Sequence, residues 1–378
     1  MTGLGGGVVI TPLLALLFHV DLRYAMGASL VSVIATSSGA ASAYVREGFS
    51  NVRIGLLLEI ATTSGAIVGA VIAAHTPTAA LSIIMGIVLL FSAYSSTQPH
   101  PDHLVTTTDP LARRFRLNGE YPAETGTKQY GVQRVKAGFS MMFGAGVTSG
   151  LLGIGSGALK VIAMDRLMRI PFKVSTATSN FMIGVTAAAS AGVYLRRGWI
   201  VPDVTMPVVL GVLLGIAGRA VVIGGAGENS TAIVRVGGWH PRDRDDLRRG
   251  YREVMNGGDE RLERIVGIVL RTGVMIAAAL VLIGGIAFVA SHRQAAPDHR
   301  KFHAGPSHLA SISGVLHGAM TLDPLYIIQL GLLVLIATPI VRVITCAVGF
   351  ALEHDWTYAI VSLIVLTFLL VSIIVSGL

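Results

Sequence analysis

Read by charge and hydropathy, the chain is a series of long apolar runs set between polar tracts. Low-charge segments fall near 3–18, 25–45, 54–74, 79–95, 137–164, 174–195, 204–224, 265–290, 326–349 and 357–377. Polar stretches occupy 96–136, 224–264 and 291–325. Runs such as IGLLLEIATTSGAIVGAVIAA (54–74) and IVGIVLRTGVMIAAALVLIGGIAFVA (265–290) reach the ~20 residues that a helix needs to cross about 30 Å of hydrocarbon. The pattern predicts an all-α, polytopic helical membrane protein.

The pattern also recurs. Displaced by 150 residues without gaps, Gly3, Gly5 and Gly7 fall on Gly153, Gly155 and Gly157. Ser29 falls on Ser179, Thr36 on Thr186, and YVREG (44–48) on YLRRG (194–198). This predicts a duplicated unit, an arrangement that places substrate sites at the repeat interface in secondary transporters. Two windows break the match. Apolar residues 137–152 precede the second glycine run, whereas the first run opens the chain. The counterpart of helix 79–95 is NSTAIVRVGGWHPRDRD (229–245), which is no membrane helix. Either the second copy lacks its fourth helix or the reading frame is shifted there. The expected organisation is a first repeat at 1–95, a connector at 96–136, a second repeat at 137–224, an atypical polar linker at 225–264 and a C-terminal membrane domain at 265–378.

Composition narrows the class. Of 378 residues, 52% are hydrophobic and 13% charged, against about a quarter charged in soluble domains. The net charge is +8, but no basic soluble module accompanies it, so no nucleic-acid partner is expected; basic loops are the ordinary topology signal of a membrane protein. The single cysteine, Cys346, excludes an intramolecular disulfide and a cysteine metal site. The N-terminus has no basic region preceding an apolar one, so no cleavable signal peptide is expected.

The stretches GLGGGVVITPLLAL, MGASLVSVIATSSGAASAYVREG and SGLLGIGSGALKVIAMDRLMRIPFKVSTATSNFMIGVTAAASAGVYLRRG resemble the TauE/SafE family of sulfite-exporter-like permeases. The resemblance covers roughly 3–224, with both glycine-rich breaks, the serine-bearing helices and the Y-x-R-x-G endings in order. The tail from about 260 resembles a separate membrane domain family of unknown function. The resemblance implies eight helices in two four-helix halves and movement of small organosulfur or sulfur oxyanions. The chain departs from that pattern at its start and at 224–264.

A nucleotide loop needs a strand before its glycines and a soluble helix after them; here the glycines interrupt apolar helices. Two readings stand for Gly5, Gly7, Gly155, Ser156 and Gly157: close packing through small residues, or helices broken at mid-membrane whose freed N–H groups face an anion. Pro12 fits a break in the first copy, and the second copy has no matching proline. Lys160, flanked by apolar residues, either supplies a positive charge at the break or snorkels toward the interface. Glu59 is either a proton-coupling carboxylate or one that is interfacial or arginine-paired. Thr178, Ser179 and Asn180, with Ser29, offer neutral donors to an oxyanion, or interhelical hydrogen bonds. His299 and His303 have a metal-binding spacing without completing ligands, so neither metal nor cofactor is expected. Ser156 lacks a histidine base at mid-membrane, and no enzyme activity is expected.

The connector 96–136 holds six Lys/Arg and four Asp/Glu, and YVREGFSNVR (44–53) and YLRRG (194–198) add further basic charge, which places all three inside. Helix parity then puts Arg166, Arg169 and Lys173 outside, against the same rule, unless segment 137–164 is broken. The leading expectation is a multi-pass plasma-membrane permease for a small sulfur-containing anion such as sulfite or a sulfonate. Its partners are the substrate and the bilayer, and it is compatible with a homo-oligomer. The competing expectation is a non-transporting scaffold or regulatory protein that docks a partner through its C-terminal helices.

Overall fold

The computed structural model describes residues 6–46, 48–98, 108–123, 126–225, 257–291 and 311–375. Helix α1 (Gly7–Pro12) runs into a π-helical turn (Leu13–Leu17), followed by α2 (Leu22–Arg46), α3 (Val52–His75) and α4 (Thr78–Ser96). A short α5 (Pro110–Arg114) and an antiparallel hairpin, β1 (Gly119–Ala123) with β2 (Gly126–Tyr130), lead to α6 (Val135–Leu152). Helix α7 (Gly157–Ile162) runs into a second π turn (Ala163–Leu167), followed by α8 (Phe172–Arg196) and α9 (Pro202–Gly225). The tail forms α10 (Gly257–Ser291), α11 (Ile312–Met320), α12 (Pro324–Leu352) and α13 (Trp356–Val375). Among the described residues the protein is helical apart from that one hairpin.

Among the described residues, six helices are long and apolar enough to cross a membrane: α2, α3, α4, α10, α12 and α13. Their outward faces are apolar too, with Ile83, Ile87 and Leu90 on α4 and Ile268, Ile283 and Ile286 on α10 exposed. Contiguous apolar surface of this kind is rare on soluble monomers, and here it faces lipid.

Segment 137–164 breaks at residues 153–156, where Gly153 (φ 66) and Gly155 (φ 75) take left-handed conformations that glycine adopts without a Cβ penalty. The apolar span expected at 265–290 is met by Arg264–Ala290 within α10, a helix that begins at Gly257. The polar connector 96–136 carries α5 and the hairpin. One expectation is corrected: the C-terminal ends of α2 and α8, placed on one side from sequence, lie at opposite ends of the bundle, since Asn51 meets Thr178 and Gly27 meets Trp199. The window 229–245, whose missing helix raised the question of reading frame, lies outside the described residues.

Helix α8 forms the centre of the bundle and is buried from Val174 to Leu195. Its many Ala, Ser, Thr and Gly residues let neighbours approach on every side. It packs along α2, and the two run in opposite directions. Gly27 abuts the backbone of Trp199, Gly184 abuts Ser37, and the Asn51 amide donates to Thr178 Oγ1 at 3.1 Å. Helix α3 packs closely on α6, and α12 and α13 lie against α2, α3 and α8.

One end of the bundle gathers loops from every part of the chain. Asn51 Nδ2 donates to Tyr130 Oη at 2.9 Å, Gln133 N to Met168 O at 3.0 Å, and Tyr358 Oη to Phe115 O. Arg53 pairs with Asp355 at 3.4 Å. Burial holds the Tyr130 phenol well above its ordinary range against a smaller opposing effect of the Asn51 bond, so it stays protonated. The bond from Gln133 to Met168 also settles the parity conflict. Helix α6, 18 residues long and so about 27 Å, turns at 153–156 and returns through α7 and its π turn to the end it left. Arg166, Arg169 and Lys173 therefore share that end with Arg113, Arg114, Arg116 and Arg134, and helix parity misassigned them because it counted α6 and its return through α7 as one crossing.

Candidate functional site

The two glycine-rich breaks, 150 residues apart in sequence, meet in space. Ser29 Oγ lies 3.3 Å from Gly7 O and 3.2 Å from Gly153 O, and its single proton serves one carbonyl at a time. A methyl built on Gly7 would sit 3.0 Å from Ile154 O, and one on Gly155 would sit 2.9 Å from Val33 and 3.1 Å from Ile183. Ser179 Oγ donates to Gly157 O at 3.3 Å, the counterpart of the Ser29–Gly7 bond. Gly7, Ser29, Gly155, Ser156, Gly157 and Ser179 thus converge. Gly5 lies outside the described residues, as do His299 and His303.

The break geometry recurs in detail at the same displacement. Helix α1 starts after Gly6 (φ 77) and α7 after Ser156 (φ 47). Each switches to a π turn six residues later, over 13–17 and 163–167. Each then passes through a positive-φ residue, His19 or Arg169, before the long helix begins. π turns of this kind cluster at functional sites. Pro12 does not cause the switch, because the second switch forms without a proline. Ser156 combines a left-handed backbone with a buried hydroxyl that has no hydrogen-bond partner among the described residues.

Lys160 projects from α7 and is fully buried, so it does not snorkel. Its Nζ donates to Thr186 Oγ1 at 2.7 Å, and Thr186 Oγ1 lies 3.3 Å from Thr62 Oγ1 on α3. One turn before Thr62 stands Glu59, also fully buried. It pairs with Arg342 of α12, with Nη2 to Oε1 at 2.6 Å. The Arg342 guanidinium also donates to Phe181 O and stacks 3.8 Å over the Phe181 ring. Of the readings offered for Glu59, the arginine-paired one describes its contacts, and its burial does not fit an interfacial position.

Thr178 and Asn180 do not join Ser179. Successive helical residues point about 100° apart; Thr178 accepts the Asn51 amide, and Asn180 Nδ2 donates to Thr176 O at 3.1 Å within its own helix. Sequence reasoning missed Arg342, although a charge inside the apolar run 326–349 is the same signal that singled out Lys160.

A buried lysine, an arginine–glutamate pair and a linking hydroxyl chain, set beside the break between α6 and α7 and the start of α1, make a polar centre inside an apolar bundle. Such centres in membrane helices mark substrate or ion pathways. The family description "Sulfite exporter TauE/SafE" matches residues 1–225. The chain belongs to the TauE/SafE family. A second family, a protein of unknown function (DUF1634), matches residues 266–374, so Arg342 reaches the family's domain from a different one. The chain is 27% identical over 206 residues to the probable membrane transporter protein YunE of Bacillus subtilis (strain 168), covering 52% of this chain and 73% of that protein. It is 27% identical over 214 residues to the probable membrane transporter protein YdhB of the same organism, covering 56% of this chain and 80% of that protein. No solved structure matches the chain.

Proposed function

We propose that this multi-pass membrane permease carries a small sulfur-containing anion, sulfite or a sulfonate, across the plasma membrane by alternating access and without catalysis. The observation that carries the reading is Lys160: a fully buried cation, facing a neutral hydroxyl, three residues beyond the break that meets its counterpart from the first half. A buried lysine is costly unless a partner or ligand faces it, and an anion is the complementary ligand. The family's printed description as a sulfite exporter supports the sulfur chemistry.

The halves are read as an inverted duplication about Gly7 and Gly157. The antiparallel course of α2 and α8 and the matched π turns support this, and rocking of one half against the other would move the site between the two faces. The basic end is read as cytoplasmic. Flux of radiolabelled sulfite into proteoliposomes tests the reading. Wild-type protein moves sulfite, and Lys160→Ala lowers flux about tenfold or more, in line with losing a buried charged contact. Unchanged flux in Lys160→Ala removes the residue from the mechanism, and no wild-type flux favours the scaffold reading.

A further inference from the structure

We propose that Arg342, supplied by the DUF1634 domain, is the second cation of the anion site, and that Glu59 is the resident anion that a substrate displaces. The proposal rests on the sulfur-anion reading above and extends it to the C-terminal domain, whose contribution no family description states.

The charges present are the first ground. Arg342, Lys160 and Glu59 are each at most 1% exposed, and they are linked in space: Glu59 pairs with Arg342, and the Thr62–Thr186 hydroxyls lead from its turn to Lys160. Two cations thus share one carboxylate. Among the described residues Lys160 forms no ion pair, and its ammonium rests on Thr186. Isolated buried charge is expensive, so the centre has room electrostatically for one more negative group.

The geometry of the pair is the second ground. An arginine and a carboxylate usually engage through two parallel bonds. Here one bond joins them, and among the described residues Glu59 Oε2 and Arg342 Nε are both buried without a hydrogen-bond partner. An acceptor and a donor therefore stand unused at the same contact. Meanwhile Phe181 holds the guanidinium independently, through its carbonyl and its ring face. Arg342 can keep its place when the carboxylate leaves.

A sulfur oxyanion fits what remains. Its oxygens match the guanidinium fork in the manner of a carboxylate or phosphate. The Thr186–Thr62 hydroxyl pair leads from Lys160 to the turn that carries Glu59. Substrate binding exchanges one anion for another at Arg342, and release is helped by Glu59 pairing again. A site with two cations and no internal competitor would hold its anion too long to turn over.

The test uses the full chain, purified in detergent for calorimetric titration with sulfite and methanesulfonate, and reconstituted for sulfite flux. Glu59→Gln should bind sulfite about tenfold more tightly or better and turn over more slowly at saturation, because the competitor is gone. Arg342→Gln should bind about tenfold more weakly or worse. Either single change leaves an unpaired buried charge and risks misfolding. Two further variants cover this: Glu59→Gln with Arg342→Gln removes the pair together and should return affinity toward that of wild type, and Arg342→Lys should weaken binding while retaining the charge. Opposite signs for the two single variants, or the predicted order for the other two, support displacement. If wild type binds and moves sulfite while the variants change affinity in one direction or not at all, the pair is only structural and the proposal fails alone. If wild type neither binds nor moves either anion, the sulfur-anion reading fails and takes the proposal with it.

Discussion

At the scale of single residues, four glycines decide how closely α3 and α6 approach. A methyl on Gly65 or Gly69 of α3 would lie 2.3 or 2.1 Å from the carbonyl oxygens of Phe143 or Val147, and one on Gly146 or Gly150 of α6 would lie 2.2 or 2.0 Å from those of Thr62 or Ala66. Both helices carry the small-xxx-small spacing of tightly packed membrane helices. Gly150→Ala should destabilise the protein by about 1–3 kcal/mol, the usual cost of overpacking. Gly144→Ala, where nothing lies within 4 Å, should leave thermal unfolding in detergent unchanged. Equal shifts for the two would mean that the contact is not limiting. Ser156 separates conformation from chemistry. Its left-handed backbone costs a serine about 1–2 kcal/mol, so Ser156→Gly should raise the unfolding temperature; a simultaneous loss of sulfite affinity would give its buried hydroxyl a role in binding. Single residues were also where sequence reading was least complete. Lys160 stands out as a charge in an apolar run, and Arg342 satisfies the same criterion within 326–349. Thr178–Ser179–Asn180 looked like one donor set because adjacency in sequence hides the turn of the helix.

At the scale of elements, hydropathy located the apolar segments well but could not separate a crossing from a return. Residues 137–164 carry one charge, Lys160, in an otherwise uncharged run, so hydropathy does not announce the reversal at Gly153 and Gly155; only the glycines mark it, and glycine is common in membrane helices. The π turns were likewise invisible, since LLALL and AMDRL share no composition that demands one. Their effect is on phase. A π turn widens the helix by about one residue per turn, which sets the direction in which α7 presents Lys160. Deleting the exposed Arg166 should turn α7 by about 100° relative to α8 and separate Lys160 from Thr186. Sulfite flux should fall to background while the purified protein stays monodisperse; retained flux would show that the phase of the turn is immaterial.

For the whole molecule, the loops tied together at the basic end make a prediction about orientation. Cysteines placed singly at Arg114 and Arg169, in a Cys346→Ala background, should resist a membrane-impermeant maleimide in intact cells, and a cysteine at Arg197 should react. Labelling of Arg114 and Arg169 in opposite senses would contradict the re-entrant course of α6 and α7. The same end joins the permease domain to the tail through Arg53, Asp355 and Tyr358, and the Glu59–Arg342 pair joins them again in the interior. That second joint bears on how such genes diverge. A permease that buries a glutamate against its neighbour's arginine cannot lose that neighbour without stranding the charge. TauE/SafE chains that lack a DUF1634 partner, fused or separately encoded, should therefore carry an uncharged residue at the position of Glu59 or a basic residue of their own facing it. A comparison of the two groups of sequences, made at that one position, would reveal whether the two domains have been inherited as a unit.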